Sequence, residues 1–514
     1  MKRVLVVVPP LVNQEPAAEA DPLRPDFEAY RLISPIEPAT VAADLARRGY
    51  EARLFDLGAV PRGRFESLAE ALAEWPPDAV VLVQSVLTFA TAQDWDGERV
   101  FSLAREARPG VVTVLTGGHA TNYPGAAVAA GVCDYALRGE PDLAVGDLLD
   151  RLRAGQSVAA ADERYQVVDV AALPLPDYSS LPAEQRAVYE TRLEFGKIRY
   201  PGRSPRYRDL MRSRGCVLRC SFCSVAPLRG PSQKRRVKPL DLQLAEIDAA
   251  LADGVEEIHF FDDLFALGKA ELMAFAEALD RRGLRFPWFA AQGFPLWTLD
   301  QEALAALAAT GMYRVIGAFE SGSDRVLQKV VGKVHSTVEH HHRVAEWCAE
   351  LELELVGMFV VGLPEETRAE LLATVEFAYA HPQIDYTVFS IATPMVGTKL
   401  MRTVQAQGRL ADADSINRVI KRTVALYETD SFAAYEVGVI RTFDWDAVNF
   451  ATPERRAKYC AMTGLTAEQL DVARAYAQRS FRRFYPDYDG PRSFRELYAQ
   501  PGLFTEGPRL PGVA

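Results

Sequence analysis

Through its first 155 residues the chain alternates short apolar runs with stretches whose apolar positions recur at helical spacing. Continuous runs of β-branched and aliphatic residues predict parallel strands, because such strands are covered on both faces. Five strands are predicted at 2–8, 51–56, 79–84, 111–116 and 134–138, with helices at 38–48 and 142–153. The pattern is that of an α/β domain: a doubly wound, Rossmann-like parallel sheet over residues 1–155, which binds its ligand at the carboxyl ends of the strands.

A second series of alternating elements begins after a proline-rich connector. Residues 156–204 carry several Leu-Pro steps, which favour extended backbone and predict a linker. Six further strands are predicted at 207–213, 257–261, 288–292, 313–319, 354–361 and 386–391, with helices between them. They predict a partial (β/α)6 barrel of the TIM type over residues 205–404, with its active residues at the carboxyl ends of the strands. The aromatic-rich remainder, 405–514, predicts a mostly helical C-terminal domain.

Composition narrows the class of protein. The chain has 514 residues with 49% hydrophobic and 25% charged residues, which is typical of a globular protein with several domains. Its net charge of −11 gives no electrostatic reason to bind nucleic acid. No apolar run has the length of a membrane span, and the first residues lack the shape of a signal peptide. We therefore expect a cytoplasmic protein that binds neither nucleic acid nor membrane.

Half of the six cysteines fall in one short segment. Cys216, Cys220 and Cys223 have the spacing Cys-x3-Cys-x-Phe-Cys. Clustered cysteine is the usual ligand set of iron–sulfur clusters, and three ligands on a four-iron cube leave one iron open to a further ligand. A structural zinc loop or a chance cluster are the alternatives, but structural zinc requires four protein ligands.

This segment resembles the signature of the radical S-adenosylmethionine enzymes. The resemblance implies that Cys216, Cys220 and Cys223 hold a 4Fe-4S cluster as metal ligands and that the open iron chelates S-adenosylmethionine. It also implies that Phe222 packs near the adenine. The preceding Ser-Arg-Gly resembles the subgroup that has an N-terminal cobalamin-binding domain, although Val217 stands where that subgroup usually has proline.

Three strand ends in the N-terminal sheet extend the resemblance to cobalamin-binding domains. A Ser-x-Leu follows the third predicted strand and a Gly-Gly-His the fourth, and an Arg-Gly-Glu ends the fifth. The resemblance implies cobalamin contacts from Ser85, Leu87, Gly117, Gly118, His119 and Glu140. A sheet that only docks a partner is the alternative. The Asp-x-His-x-x-Gly motif of classical domains is absent, so we expect no cobalt ligand from such a motif, and we place His119 beside the cobalamin tail.

Strand ends of the predicted barrel complete the resemblance. Asp262 and Asp263 resemble an acidic pair of the cobalamin subgroup, and they are either catalytic acid/base groups or caps of the next helix. A Glu-Ser-Gly follows the fourth strand and a Gly-Leu-Pro the fifth. The resemblance implies that these two motifs contact the ribose or amino group and the adenine of S-adenosylmethionine, through Glu320, Ser321, Gly362 and Pro364.

Taken together, the chain resembles the class B radical S-adenosylmethionine methyltransferases. The resemblance implies methylation of an unactivated carbon, or a phosphinate phosphorus, of a small molecule of the natural-product type. It also implies a flavodoxin- or ferredoxin-type electron donor. The alternatives are a cobalamin-assisted radical rearrangement, cyclisation or oxidation without methyl transfer, a polar cobalamin methylase, and a cluster-binding redox or sensor module that is not an enzyme.

Overall fold

The N-terminal part of the chain forms a six-stranded, wholly parallel sheet. The computed structural model describes residues 1–9, 34–60, 64–84, 97–161, 164–167, 169–191, 202–229, 234–410 and 425–499. The strands are β1 (Arg3–Val8), β2 (Glu51–Asp56), β3 (Ala79–Gln84), β4 (Val112–Gly117), β5 (Tyr135–Gly139) and β6 (Arg164–Tyr165). They lie in the order β2-β1-β3-β4-β5-β6.

Helices cover both faces of this sheet, as expected for a doubly wound domain. They are α1 (Ile36–Arg47), α2 (Arg64–Glu74), α3 (Gly97–Ala107), α4 (Gly118–Asn122), α5 (Ala126–Ala129) and α6 (Ala144–Arg153). Val4 and Val6 of β1 pack with α1 and α6, whereas Leu5 and Val7 pack with α2 and α3. Alternate side chains of one strand thus enter two separate cores, which explains the continuous apolar run in the sequence.

The strand order reverses between β1 and β3, and in open α/β sheets such a reversal opens a crevice at the carboxyl ends of the strands. The segments that follow these two strands, 10–33 and 85–96, fall outside the described residues. A further helix, α7 (Ala183–Thr191), belongs to the connector. Gln185 of α7 accepts a hydrogen bond at 2.8 Å from the backbone of Asp56, so this helix lies against the carboxyl end of β2.

The second sheet also has six parallel strands, in the order β14-β13-β12-β11-β10-β7. Its strands are β7 (Tyr207–Leu210), β10 (Glu257–Phe260), β11 (Trp288–Ala290), β12 (Met312–Glu320), β13 (Glu354–Val361) and β14 (Tyr386–Ile391), and the short β8 (Ser213–Arg214) and β9 (Arg236–Val237) form an antiparallel pair beside them. The two outer strands, β7 and β14, are not hydrogen-bonded to each other. The sheet is therefore an open barrel.

Helices connect the strands of the barrel. They are α8 (Val225–Arg229), α9 (Leu240–Ala252), α10 (Lys269–Arg281), α11 (Gln301–Ala309), α12 (Val338–Glu350), α13 (Arg368–Ala380) and α14 (Lys399–Ala406). A π-helix, Val326–Val331, follows β12. The strands and helices alternate as predicted, which confirms the fold class, whereas the additions to the predicted elements are α2 to α5, α7, α8, α14, β6 and the β8–β9 pair.

The C-terminal part is helical and packs on the open edge of the barrel. Its helices are Ala434–Val439, Trp445–Phe450, Pro453–Thr463, Ala467–Arg482 and Phe494–Ala499, with a π-helix at Ile440–Asp444. The Asn449 side chain accepts a hydrogen bond from the backbone N–H of Thr387 at 2.7 Å and donates one to its carbonyl at 2.9 Å. This contact covers the outer edge of β14, and the apolar residues of the barrel and of these helices form one continuous core.

Across the described part of the chain, no helix combines the length and the apolar character needed to cross a membrane.

Candidate active site

The cysteine segment connects β8 to α8 at the carboxyl end of the barrel. Its backbone is held from two sides, because Ser221 N–H donates to the carbonyl of Val331 at 3.0 Å and the carbonyl of Ser221 accepts from Leu400 N–H at 2.8 Å. Gly215 begins the segment with a φ of 82°, and a Cβ there would lie 2.5 Å from the carbonyl oxygen of Lys234. The positive φ and this close approach favour glycine at position 215.

The three thiols influence one another. Burial raises the pKa of Cys216 to about 11 and that of Cys223 to about 12, and repulsion between the cysteines adds to both shifts. Iron binds the thiolate, so cluster binding releases protons from these groups. The donor set of three soft ligands on one short loop fits a cluster. No three side chains of His, Cys, Asp or Glu within the described ranges already have the arrangement of a metal site, and the ligand roles of the cysteines stay a prediction.

A buried lysine beside the cysteines is not visible in the sequence motifs. Lys333 Nζ lies 2.5 Å from Oε1 of Glu320, and both side chains are buried. Although burial alone lowers the pKa of Lys333, Glu320 and the thiols of Cys220 and Cys223 raise it above its ordinary value. The cation therefore neutralises Glu320 and lies close enough to stabilise negative charge on two of the predicted cluster ligands.

Glu320 itself has an unusual backbone. It ends β12 with a φ of 61°, in the left-handed region that costs a non-glycine residue about 1–2 kcal/mol. Such outliers concentrate at functional sites. The next residue, Ser321, is buried, and its Oγ lies 3.1 Å from the hydroxyl of Thr374 on α13. The strained backbone of Glu320 is therefore in keeping with its predicted role in binding S-adenosylmethionine. The Ser321 hydroxyl, in contrast, hydrogen-bonds within the protein.

The loop after β13 is organised by a second buried carboxylate. Oε2 of Glu366 accepts from the backbone N–H groups of Gly362 at 2.9 Å and Leu363 at 3.0 Å. Burial raises the pKa of Glu366 to about 8. The carbonyl of Gly362 accepts from the Tyr427 hydroxyl at 2.5 Å, so the C-terminal helical part also reaches this loop. Pro364, the other predicted adenine contact, is half-buried in the same loop, and Phe222 packs half-buried against the barrel core.

Asp262 and Asp263 follow β10 and hold the start of the cysteine segment. Asp262 accepts from the Ser213 hydroxyl at 2.6 Å, and burial raises its pKa. Asp263 accepts from the backbone N–H of Gly215 at 2.7 Å. The next helix, α10, has Gly268 as its N-cap, so the alternative that the acidic pair caps this helix is wrong. The catalytic role stays a prediction; Asp262 and Asp263 both hydrogen-bond the start of the cysteine segment, and Asp263 also accepts from Nε of Arg229 at 2.8 Å.

Three of the predicted cobalamin residues, Gly117, Gly118 and His119, lie at the carboxyl edge of the N-terminal sheet. Gly117 ends β4 with a φ of 95°, and a Cβ there would lie 1.7 Å from the carbonyl oxygen of Gln84. Gly118 and His119 begin α4, and the backbone N–H of His119 donates to the Gln84 side chain at 2.8 Å. His119 is buried. Ser85 and Leu87 lie outside the described residues.

Glu140 lies between the two sheets. Its carboxylate accepts hydrogen bonds from both terminal nitrogens of Arg236, at 2.6 and 2.8 Å, and from the backbone N–H of Val167 at 2.7 Å. These contacts account for both oxygens and favour a role in holding the barrel against the N-terminal domain. Cobalamin binding by Glu140 stays a prediction.

The two carboxyl edges face each other. Helix α4, at the edge of the first sheet, packs against α8, which directly follows the third cysteine. The turn after β14 also reaches α8, where a Cβ on Gly397 would lie 2.7 Å from Cβ of Pro227. An open parallel barrel with three cysteines at its carboxyl end thus faces a second α/β sheet, which is the arrangement expected of a radical S-adenosylmethionine enzyme with an added N-terminal domain.

Comparison with known proteins supports this class. Residues 210–378 match the Radical SAM superfamily. An uncharacterized methyltransferase of Pyrococcus horikoshii is 27% identical over 70% of this chain and 76% of its own length. Cytidylyl-2-hydroxyethylphosphonate methyltransferase of Streptomyces wedmorensis is 24% identical over 83% of this chain and 89% of its own length. The structure of the radical S-adenosylmethionine methyltransferase TsrM from Kitasatospora setae shares the fold, with a TM-score of 0.59 and 20% identity over 79% of this chain and 75% of that one.

Residues 210–378 therefore form a radical S-adenosylmethionine domain, and the chain is similar to methyltransferases that carry one, which confirms the resemblance and the enzyme class predicted from the cysteine segment.

Proposed function

We propose that this enzyme transfers a methyl group to an unactivated carbon, or a phosphinate phosphorus, of a small natural-product-type molecule. Its cofactors in this proposal are a 4Fe-4S cluster, S-adenosylmethionine and cobalamin. The observation that carries the proposal is the packing of α4, which begins with Gly118 and His119, against α8, which follows Cys223. It puts the edge predicted to bind cobalamin beside the loop predicted to bind the cluster.

The residues at the N-terminal edge fit a large cofactor. The sheet order puts a crevice at the carboxyl ends of the strands, and the edge at β4 ends in two residues without side chains, Gly117 and Gly118. In our proposal His119 lies beside the cofactor, while Gly117 fixes the turn through its contact with Gln84. When bound, the cluster with S-adenosylmethionine supplies a radical initiator, and cobalamin supplies a methyl carrier.

The remaining residues of the site bind and orient. Cys216, Cys220 and Cys223 are the proposed cluster ligands, and Glu320 with Lys333 forms the polar wall beside them. Glu366 holds the backbone of Gly362 and Leu363 in the shape that receives the adenine. The segment that precedes the C-terminal helices reaches this loop through Tyr427, which supports a role for this part of the chain in shaping the substrate pocket.

The proposed partners follow from the chemistry. Reductive cleavage of S-adenosylmethionine requires a low-potential electron, so we include a flavodoxin- or ferredoxin-type donor. We place the enzyme in the cytoplasm, where thiols stay reduced, because all six cysteines are free and three of them must bind iron. The small-molecule substrate is in keeping with the phosphonate named for the Streptomyces relative.

The test is an anaerobic reconstitution of the full chain with iron, sulfide and cobalamin. S-adenosylmethionine with a deuterated methyl group, a strong reductant and a cytidylyl-2-hydroxyethylphosphonate probe are added, and products are followed by mass spectrometry. We expect S-adenosylhomocysteine, 5′-deoxyadenosine and a labelled methyl group on the product. If another substrate is required, labelled methylcobalamin still reports methyl transfer to the cofactor.

Two cysteine variants serve as a matched pair. Cys223→Ala is expected to abolish formation of 5′-deoxyadenosine, whereas Cys460→Ala, which changes a cysteine on the C-terminal helix Pro453–Thr463, is expected to leave it unchanged. Formation of 5′-deoxyadenosine with bound cobalamin that never receives the label would refute methyl transfer. It would favour the rearrangement, cyclisation or oxidation alternatives.

A further inference from the structure

We propose that Arg229 is a positioning residue that links the N-terminal domain to the cysteine loop and fixes the distance between the two cofactor-binding edges. The inference concerns the contact between domains, and only its functional meaning rests on the proposed function. Arg229 ends α8 and is 2% exposed. A guanidinium group buried to this degree requires several partners, since an unpaired buried charge is very costly.

The partners of Arg229 come from both domains. Its Nε donates to Oδ2 of Asp263 in the barrel at 2.8 Å. Its Nη1 donates to Oε1 of Glu37, which lies in the first turn of α1, and is 3.6 Å from Oε1 of Glu140, which follows β5. Both glutamates are buried and belong to the N-terminal domain. One planar cation therefore contacts carboxylates of two separately folded sheets.

The connection continues to the first predicted cluster ligand. Oδ2 of Asp263, the oxygen that accepts from Arg229, also accepts from the backbone N–H of Gly215 at 2.7 Å. Gly215 directly precedes Cys216. Three successive polar contacts thus lead from Glu37 on α1 to the residue before the first cysteine.

Two further ion pairs cross the same interface, one of them fully buried. Both terminal nitrogens of Arg214, on β8, donate to the carboxylate of Asp142, and both side chains are buried. Arg236, on β9, binds the carboxylate of Glu140 through two nitrogens. These arginines belong to the antiparallel pair that starts the cysteine segment, so the interface holds this segment at several points. The pairs have discrete geometries, and a shift of one domain breaks several of them together.

The geometry makes Glu37 the informative residue to change, because it lies in the other domain from the cysteines. In the full chain without cofactors, Glu37→Gln is expected to speed amide hydrogen exchange in the peptide that contains Gly215 and Cys216 by about fivefold or more. The amide keeps the size of the side chain but removes its charge. Exchange of the β1 peptide, Arg3–Val8, is expected to stay at the wild-type rate and to show that the N-terminal domain is folded.

Asp44→Asn is the matched control. Asp44 is a buried carboxylate on the same helix, but its ion pairs go to Arg47 and Arg48 within the N-terminal domain. This variant is expected to leave exchange of the cysteine peptide unchanged. Arg229→Lys retains the positive charge without the planar fork, and we expect it to accelerate exchange in the same peptide as Glu37→Gln does.

Wild-type exchange of the cysteine peptide in Glu37→Gln, or equal acceleration in Asp44→Asn, would overturn the proposal. If Glu37→Gln does not fold, exchange of the cysteine peptide is compared between Arg229→Lys and the wild-type protein, and equal rates would overturn the proposal. Because neither cluster nor cobalamin is present, a protein that never transfers a methyl group can still give the expected result. Failure of the positioning role and failure of the proposed function are therefore distinguishable.

Discussion

Two buried ionisable residues, Lys333 and Glu366, support the backbone where S-adenosylmethionine is expected to bind. Lys333 compensates Glu320, whose backbone is strained, and Glu366 fastens the Gly362 turn through two N–H groups. No sequence motif predicted that either side chain contributes to the site. Both side chains are buried, so the protonation state of each depends on the groups around it.

Glu366 gives a pH-dependent prediction. Burial raises the pKa of its carboxyl from 4.5 to about 8. Between these two pH values the folded protein keeps a proton that the unfolded chain has already released. The contribution of Glu366 to folding stability is therefore full below about pH 4.5 and falls as the pH rises to about 8. Glu366→Gln is expected to remove this decline while its amide oxygen still accepts from the loop.

The measurement compares denaturant unfolding of wild-type and variant protein across this pH range. Other buried acids titrate in both proteins, among them Asp444, whose pKa burial raises to about 7. The difference between the two curves therefore isolates Glu366. Parallel curves would show that Glu366 is ionised throughout in the folded protein, contrary to the prediction.

At the scale of elements, the residues at the strand ends of the site mainly hydrogen-bond neighbouring parts of the protein. The residues after β10 hold the start of the cysteine segment, and Ser321 after β12 binds α13. The π-helix after β12 and helix α14 each hydrogen-bond the backbone of Ser221. The cysteine loop is thus fixed by three different parts of the barrel, which suits a loop that must bring three thiolates to one cluster.

Gly117 tests the edge of the N-terminal sheet. Gly117→Ala would place a Cβ 1.7 Å from the carbonyl oxygen of Gln84, so β4 must separate from β3 at its carboxyl end. Gly110→Ala is the control, since Gly110 has a similar φ of 79° and open space around it. The control is expected to lose about 1–2 kcal/mol of unfolding free energy, and Gly117→Ala clearly more.

Cobalamin binding adds a functional measurement to this pair. Gly117→Ala is expected to weaken binding of cob(II)alamin by the folded protein, followed by absorption spectroscopy, whereas Gly110→Ala retains the wild-type affinity. Equal losses of stability in the two variants would show that the contact with Gln84 is unimportant. Equal affinities would remove the edge at β4 from the proposed cobalamin site.

At the scale of the whole molecule, three parts of the chain meet around one site. The N-terminal domain reaches the cysteine segment through buried ion pairs, and the segment before the C-terminal helices reaches the Gly362 loop through Tyr427. The helices also share an apolar core with the barrel. A change in either flanking part is therefore expected to alter cofactor binding without changing a ligand.

Tyr427 tests the C-terminal connection. Tyr427→Phe removes the donor to the buried carbonyl of Gly362 and leaves that carbonyl without this bond, at a cost of about 1 kcal/mol. We expect the reconstituted protein to bind S-adenosylmethionine about fivefold more weakly by equilibrium dialysis. Tyr498→Phe, on the C-terminal helix Phe494–Ala499, is the control and is expected to retain full affinity. Unchanged affinity in Tyr427→Phe would separate the C-terminal part from this site.

Much of the fold could be predicted from the sequence, because its information is local. Apolar runs covered on both faces predict parallel strands, so β1, β3 and the six barrel strands follow from hydrophobic periodicity alone. Helices α2 and α3 lack an equally clear pattern and were not predicted. The cysteine spacing likewise determines the class of chemistry, since three thiolates on one loop need no distant residue to be recognised.

Only the tertiary structure decided how the charged residues are used. The sequence pattern leaves Asp263 and Glu140 as candidates for catalysis and cofactor binding, whereas the structure pairs them with Arg229 and Arg236 inside a domain interface. Lys333 is near the cysteines only because the segment after β12 folds back onto their loop. Ion pairs between residues far apart in sequence depend on burial and on the approach of two domains, and neither leaves a local pattern.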